Sequence, residues 1–101
     1  MEITFKENKY TIKYTLRAFF IYEQITGQVF KMRTLTDEYL FLYCLILANA
    51  PDINMSFEDF VSECDDRPDW MISMQKFVHK EMEKQSLLLQ ESSVEDSKKK
   101  N

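Results

Sequence analysis

The chain has 101 residues, of which 45% are hydrophobic and 14% aromatic, and its formal net charge is −4. This length is enough for one domain, and this hydrophobic content excludes a wholly disordered chain. Only one glycine and two prolines occur, which favours helices over a turn-rich sandwich. Apart from Lys98, Lys99 and Lys100 in the polar tail, the basic residues are dispersed, and the net charge is negative, so we expect no nucleic-acid partner.

The longest apolar run and the two cysteines indicate the cellular compartment of the protein. The longest uncharged apolar run, residues 39–48, is about half the length of a bilayer-spanning helix, so no membrane association is expected. Cys44 and Cys64 are isolated thiols without zinc or redox spacing, and no secretory signal precedes them. We therefore expect a cytoplasmic protein without metal or other cofactor.

Residues 2–14 predict a β-hairpin. Apolar and polar residues alternate in two short runs, and the apolar members are Ile3, Phe5, Tyr10, Ile12 and Tyr14. The turn is predicted at residues 7–9, where Asn8 tolerates a left-handed backbone. A lone two-stranded hairpin is marginally stable in water. Its apolar face is therefore expected to pack on the following helices or on a neighbouring subunit.

Four helices are predicted after the hairpin, at residues 16–26, 37–50, 57–65 and 68–89. Their predicted N-caps are Thr15, Thr36 and Ser56, with Asp59 completing a capping box, and Pro68 suits a first helical turn. Gly27, the only glycine, stands where a left-handed residue ends the first helix. The fold class is therefore α+β, mainly α. A single domain over residues 1–90 packs an N-terminal hairpin on three or four helices, and residues 91–101 form a disordered polar tail.

No catalytic group is predicted. His79 is the only histidine, and charged residues rather than a nucleophile occupy the helical positions around it. The acidic residues between 58 and 69 lack the spacing and the glycine of a calcium loop. A solvated helix face is the simpler interpretation of both features, so we expect a protein that is not an enzyme.

Candidate partner-binding residues lie in two places. The fourth helix carries Trp70, Met71, Met74 and Phe77, and the connection at residues 28–35 carries Phe30 and Met32. Core packing explains the helical set, and an adaptable face for a helical partner explains it as well. Both interpretations remain open from the sequence.

Residues 9–30, KYTIKYTLRAFFIYEQITGQVF, resemble the opening of the tail assembly chaperones of long-tailed phages and prophages. The similar features are the hairpin, the arginine–alanine–aromatic stretch at 17–20, and the ITG stop at 25–27. The segments TDEYLFLYCLILANA and SFEDFVSEC, followed by a terminal helix, extend the likeness over residues 2–85.

The resemblance implies a small, mainly helical, non-enzymatic protein of the host bacterial cytoplasm. Such chaperones bind the tape-measure protein during tail assembly, and they tend to self-associate. The edge strand from Ile3 to Lys6 is one possible contact between subunits. Two alternatives remain open: a structural head–tail or tail-completion protein of the particle, and a small regulatory protein-binding module.

Overall fold

The computed structural model describes the backbone of residues 1–100 and the side chains of residues 1–85. Its elements are β1 (Glu2–Phe5), β2 (Asn8–Thr11), α1 (Leu16–Thr26), α2 (Leu35–Asn49), α3 (Phe57–Asp66) and α4 (Pro68–Lys100). The predicted fold class is confirmed, since one antiparallel hairpin precedes four helices. No helix within the described part of the chain is long and apolar enough to cross a membrane.

The hairpin turn lies earlier than predicted. Lys6 and Glu7 form it, with φ of 49° and 69°, and Asn8 already belongs to β2. A two-residue turn with positive φ at both central positions matches the right-handed twist of the strands. It sets Ile3 opposite Tyr10, which turns the apolar residues of both strands to one face.

The predicted boundaries of α1 are confirmed. Gly27 follows the helix with φ 72° and donates its backbone N–H to the Glu23 carbonyl at 2.7 Å. Thr15 occupies the N-cap position, but its hydroxyl makes no capping bond and is buried without a hydrogen-bond partner.

The predicted N-cap of α2 at Thr36 is wrong. The helix begins at Leu35, and Thr34 is its N-cap. Asp37 is the third helical residue after Thr34, so its carboxylate accepts from the Thr34 N–H while its own N–H donates to Thr34 Oγ1, each at 3.1 Å. This reciprocal pair fixes the start of the helix.

The capping box of α3 is confirmed, with Ser56 and Asp59 bonded in both directions at 3.0 Å. The last helix continues to Lys100, past the predicted end at residue 89. Side chains beyond residue 85 lie outside the described set. The predicted disorder of the polar tail at residues 91–101 concerns this part of the chain and remains a prediction.

Helix α2 is the centre of the fold. Its buried residues are Phe41, Leu42, Cys44, Leu45 and Ile46. The core is completed by Ile3, Phe5 and Ile12 of the hairpin segment, Ala18 and Tyr22 of α1, Met55 before α3, Phe60 and Cys64 of α3, and Met71, Met74 and Val78 of α4. Among the described residues, no polar or charged residue is buried as a whole. The uncharged run at 39–48 is thus mainly core, which explains its lack of a polar face.

Two polar side chains fasten the hairpin segment to the helices. The Asn49 carboxamide accepts from the Lys13 N–H at 3.0 Å and donates to the Lys13 carbonyl at 2.8 Å. Arg67, at the end of α3, donates to the Thr4 carbonyl at 2.7 Å. Both contacts occupy backbone groups of the kind that a further strand would use.

Candidate protein-binding surface

The most distinctive surface feature is a set of large apolar side chains in water. Seven of them have exposed fractions between 42% and 68%. They are Leu16, Phe20 and Ile25 on α1, Val29 and Met32 in the following segment, Leu35 at the start of α2, and Ile72 on α4. Single exposed apolar residues are ordinary, but three of them within residues 29–35 are a local concentration, which makes this segment the candidate surface.

Phe30 holds this segment on the core. Its ring stacks on Phe41 with a centroid distance of 4.4 Å and an interplanar angle of 23°. It also meets Tyr22 edge-on at 5.0 Å and Phe19 at 6.0 Å. Because Phe30 points inward, it anchors the segment, while its neighbours Val29 and Met32 stay exposed.

Asp37 fixes the end of the same segment. Its carboxylate accepts from the backbone N–H groups of Arg33 and Thr34, each at 3.1 Å, and from the Tyr22 hydroxyl at 3.4 Å. The hydrogen bond from the Arg33 backbone is the main reason that the pKa of Asp37 lies below its usual value. Burial, followed by the Asp37 charge, raises the pKa of Tyr22. The lowered pKa favours the ionised carboxylate, which is the form that accepts these hydrogen bonds.

Two grooves flank the start of α2. On the α4 side, Met32 and Met82 line a groove of about 480 Å³ together with His79 and Glu83. A neighbouring hollow of about 440 Å³ shares His79 and Glu83 and reaches Ile72.

On the α3 side, Leu35 lines a groove of about 310 Å³ with Tyr39, Phe57 and Val61. All three hollows are shallow and open to solvent, and each has at least one of the exposed apolar residues on its wall.

The six predicted contact residues differ in their exposure to solvent. Met71 and Met74 have exposed fractions of 4% and 0%, so the core interpretation is confirmed for these two. Phe77 is half-buried against the core. Trp70 is also half-buried, and the centre of its ring lies 5.7 Å from that of Phe60 and 5.0 Å from the Arg67 guanidinium.

Phe30 is likewise half-buried, and Met32 alone among the six is exposed. The candidate surface therefore moves from α4 to the segment before α2. Sequence reasoning did not select Val29 and Leu35 as contact residues, although both belong to the apolar connection. It also missed Leu16, Phe20 and Ile25, since the apolar residues of α1 are too numerous for a pattern to separate its two faces.

Titratable groups near this surface have structural partners. His79 Nε2 lies 3.0 Å from Glu38 Oε1 and so connects α4 to α2. Burial raises the pKa of Cys44 and that of Cys64 to about 11, which keeps both thiols protonated at neutral pH. Within the described residues, no group of three or more His, Cys, Asp or Glu side chains is placed to hold a metal ion.

Comparison with protein-family models, with curated proteins and with solved structures found no match.

Proposed function

We propose that this protein is a non-enzymatic tail assembly chaperone of a long-tailed phage or prophage. It binds the tape-measure protein in the host cytoplasm and leaves before the particle is complete. The observation that carries the proposal is the exposed apolar surface on a well-anchored segment, with Val29, Met32 and Leu35 all open to water. The resemblance of residues 2–85 to such chaperones is the reason for proposing the tape-measure protein as the partner.

The chemistry of the surface fits this task. A chaperone for a long helical protein needs apolar side chains that contact the partner without a large ordering cost. Phe30 and Asp37 already hold the segment in place, so little freedom remains to be lost on binding. Exposed apolar residues on α1 and α4 add further contact points, and several weak contacts give reversible, multivalent binding.

The reactive groups support a binding role over catalysis. The two thiols are protonated and buried, and the imidazole of His79 meets a carboxylate on α2. A nucleophile needs a base within hydrogen-bond distance, and His79 has its carboxylate contact on the surface, whereas both thiols belong to the core.

Self-association is part of the proposal and follows from the same surface. Without a partner, a second copy can cover the exposed apolar residues of α1 and the 29–35 segment. The edge of β1 is a less favourable route, because Arg67 already occupies the Thr4 carbonyl. Light scattering coupled to size exclusion should show a concentration-dependent oligomer that is retained in Arg67→Ala.

The test of the function is co-expression with a large tape-measure-like protein, where one is encoded beside this gene. We expect the partner to become soluble and to co-purify on size exclusion. A variant with Val29→Ser, Met32→Ser and Leu35→Ser should lose this rescue while keeping its helical circular dichroism, because all three side chains are exposed. Absence of rescue by the native protein, together with its presence in purified particles, would instead identify a structural tail component.

A further inference from the structure

We propose that two copies of this chain pair through the outer edge of β2 and join their hairpins into one continuous antiparallel sheet. The pairing uses backbone groups of Lys9 and Thr11, so it is independent of the apolar surface at residues 29–35. It therefore goes beyond the proposed function, in which self-association uses exposed apolar side chains.

The outer edge of β2 is open to solvent. Hydrogen-bonded and non-hydrogen-bonded positions alternate along an antiparallel pair, and the mutual backbone bonds of Met1 and Ile12 fix the phase of this alternation. Lys9 and Thr11 therefore direct their N–H and C=O groups away from β1. Both residues are exposed, and within the described part of the chain no hydrogen bond occupies these outward groups.

Asn49 marks the end of this open edge. Its carboxamide accepts from the Lys13 N–H and donates to the Lys13 carbonyl, as a residue of an adjacent antiparallel strand would. The next outward position after Thr11 is thus filled, and the hairpin turn ends the strand on the other side. A long extended segment would meet the Asn49 side chain, whereas a second β2 has the length of the open edge.

The lysines of β2 and its continuation select one register for this pairing. The central symmetric registers place the twofold axis at Lys9, at Tyr10 or at Thr11. An axis at Lys9 sets the two Lys9 side chains directly opposite each other, and like charges in that position are destabilising. An axis at Thr11 sets Lys9 opposite Lys13, whose backbone groups are already bonded to Asn49. The axis at Tyr10 avoids both conflicts.

An axis at Tyr10 also uses all the open backbone groups. Lys9 of each copy lies opposite Thr11 of the other, so the two residues exchange both of their outward hydrogen bonds. The two Tyr10 rings lie opposite each other at a non-hydrogen-bonded position, where cross-strand side chains are closest. The contact is isologous and closes after two copies.

Opposite charges meet at each end of this pairing. Lys13 lies level with Glu7 of the second copy, and both residues are exposed in the single chain. The second copy turns toward its own β1 at Glu7, so Asn49 keeps its bonds to Lys13. A foreign strand would need an acidic residue at the same place, and the second copy already has one. The occupant of the edge is therefore assigned to a second copy.

Amide hydrogen exchange of the full-length protein would test this assignment. In the single chain, the outward N–H groups of Lys9 and Thr11 face water and should exchange rapidly, whereas in the pair they are bonded. Their exchange should slow about tenfold as the concentration rises from micromolar to millimolar, because so short an edge supports weak association. The outward N–H of Thr4 on β1 is the internal control and should show no such change.

Exchanging the charges at the two ends locates the contact. Lys13→Glu brings two acids together at each end and Glu7→Lys brings two bases together, so each variant should associate about tenfold more weakly in light scattering. An equimolar mixture of the two variants restores opposite charges and should regain the native affinity. Lys84→Glu, an equal charge change at an exposed position of α4, should have no effect. Circular dichroism would verify that all three variants are folded.

Concentration-dependent protection of Lys9 and Thr11, together with recovery in the mixture, supports the inference. A protein that stays monomeric at millimolar concentration overturns it, as does an oligomer in which these amides stay unprotected. Protection without recovery in the mixture overturns the register at Tyr10. Protection that appears only when the tape-measure protein is added gives the edge to that partner and overturns the assignment to a second copy. Rescue of solubility in co-expression tests the proposed function separately, so either can fail without the other.

Discussion

Replacing Asn49 with alanine should loosen the junction between the hairpin and the helices. Asn49 is the last residue of α2, and its carboxamide makes three hydrogen bonds. Two go to the backbone of Lys13, which is 36 residues away in sequence, and one goes to the Leu45 carbonyl at 2.9 Å. The Asn49→Ala variant loses all three and leaves the Lys13 groups to water.

The expected loss follows from the exposure of these bonds. A net hydrogen bond contributes about 0.5–1.5 kcal/mol, and the two bonds to Lys13 are exposed, so the lower part of that range applies. Summed over the three bonds, the free energy of unfolding should fall by about 1–2 kcal/mol. For a domain of this size, such a loss corresponds to a decrease in Tm of about 4–16 °C.

Urea unfolding followed by circular dichroism and by Trp70 fluorescence would measure this change. The midpoint should fall with no change in the slope, because the exposed surface of the unfolded chain is the same. Asn54→Ala is the matched control, since Asn54 is exposed and makes no side-chain hydrogen bond within the described residues. Equal midpoints for Asn49→Ala and Asn54→Ala would refute the bidentate contact with Lys13.

Three further predictions concern the turn, the caps and the thiols. Glu7→Gly should raise the free energy of unfolding by about 1 kcal/mol, because glycine adopts the left-handed backbone at φ 69° without strain. Gly27→Val should lower the free energy of unfolding by at least as much, because valine is strained at φ 72°. Urea midpoints would measure both changes. Backbone hydrogen bonds lower the pKa values of Asp37 and Asp59 in the folded protein below the ordinary value of 3.8. The stabilisation from these carboxylates is therefore present above pH 3.8, and it is lost as the pH falls through their pKa values in the folded protein. The stability gap between the native protein and Asp37→Asn with Asp59→Asn should therefore close in acid, and a constant gap would contradict this. Cys44 and Cys64 should react with a thiol reagent at pH 8 only after unfolding, since burial raises the pKa of each thiol to about 11. Rapid labelling of the folded protein would disprove their burial.

Local signals in the sequence predicted the fold well. Alternation gave the two strands, the single glycine gave the end of α1, and the Ser56–Asp59 spacing gave the start of α3. The N-cap of α2 was predicted at Thr36 instead of Thr34 because both threonines lie shortly before Asp37. Only the three-residue spacing from Thr34 to Asp37 closes a capping box, and this spacing was the available signal.

The candidate surface was harder to predict. Methionine and tryptophan are common both in cores and on contact faces, so composition could not place Met71 and Met74 inside while leaving Ile72 in water. Their burial depends on which side of α4 faces α2 and α3, and that is a property of the assembled fold. The contacts of Asn49 with Lys13 and of Arg67 with Thr4 join distant segments and have no local pattern at all.

The placement of Asn49 and Arg67 also bears on how this domain avoids polymerising. Met1 and Ile12 form a hydrogen-bonded pair, since each donates its backbone N–H to the carbonyl of the other. Because hydrogen-bonded and non-hydrogen-bonded pairs alternate along antiparallel strands, the backbone N–H and C=O of Thr4 point away from β2. Arg67 occupies the Thr4 carbonyl on that edge, and Asn49 occupies both backbone groups of Lys13 on the continuation of the other. An unpaired strand edge accepts almost any extended chain, whereas an apolar side chain on a helix or an anchored segment demands a matching shape. Among the described residues, every large exposed apolar side chain lies on a helix or in the segment before α2. Side chains thus occupy some of the backbone groups to which a further strand would pair, whereas the exposed apolar residues lie where a contact depends on side-chain shape.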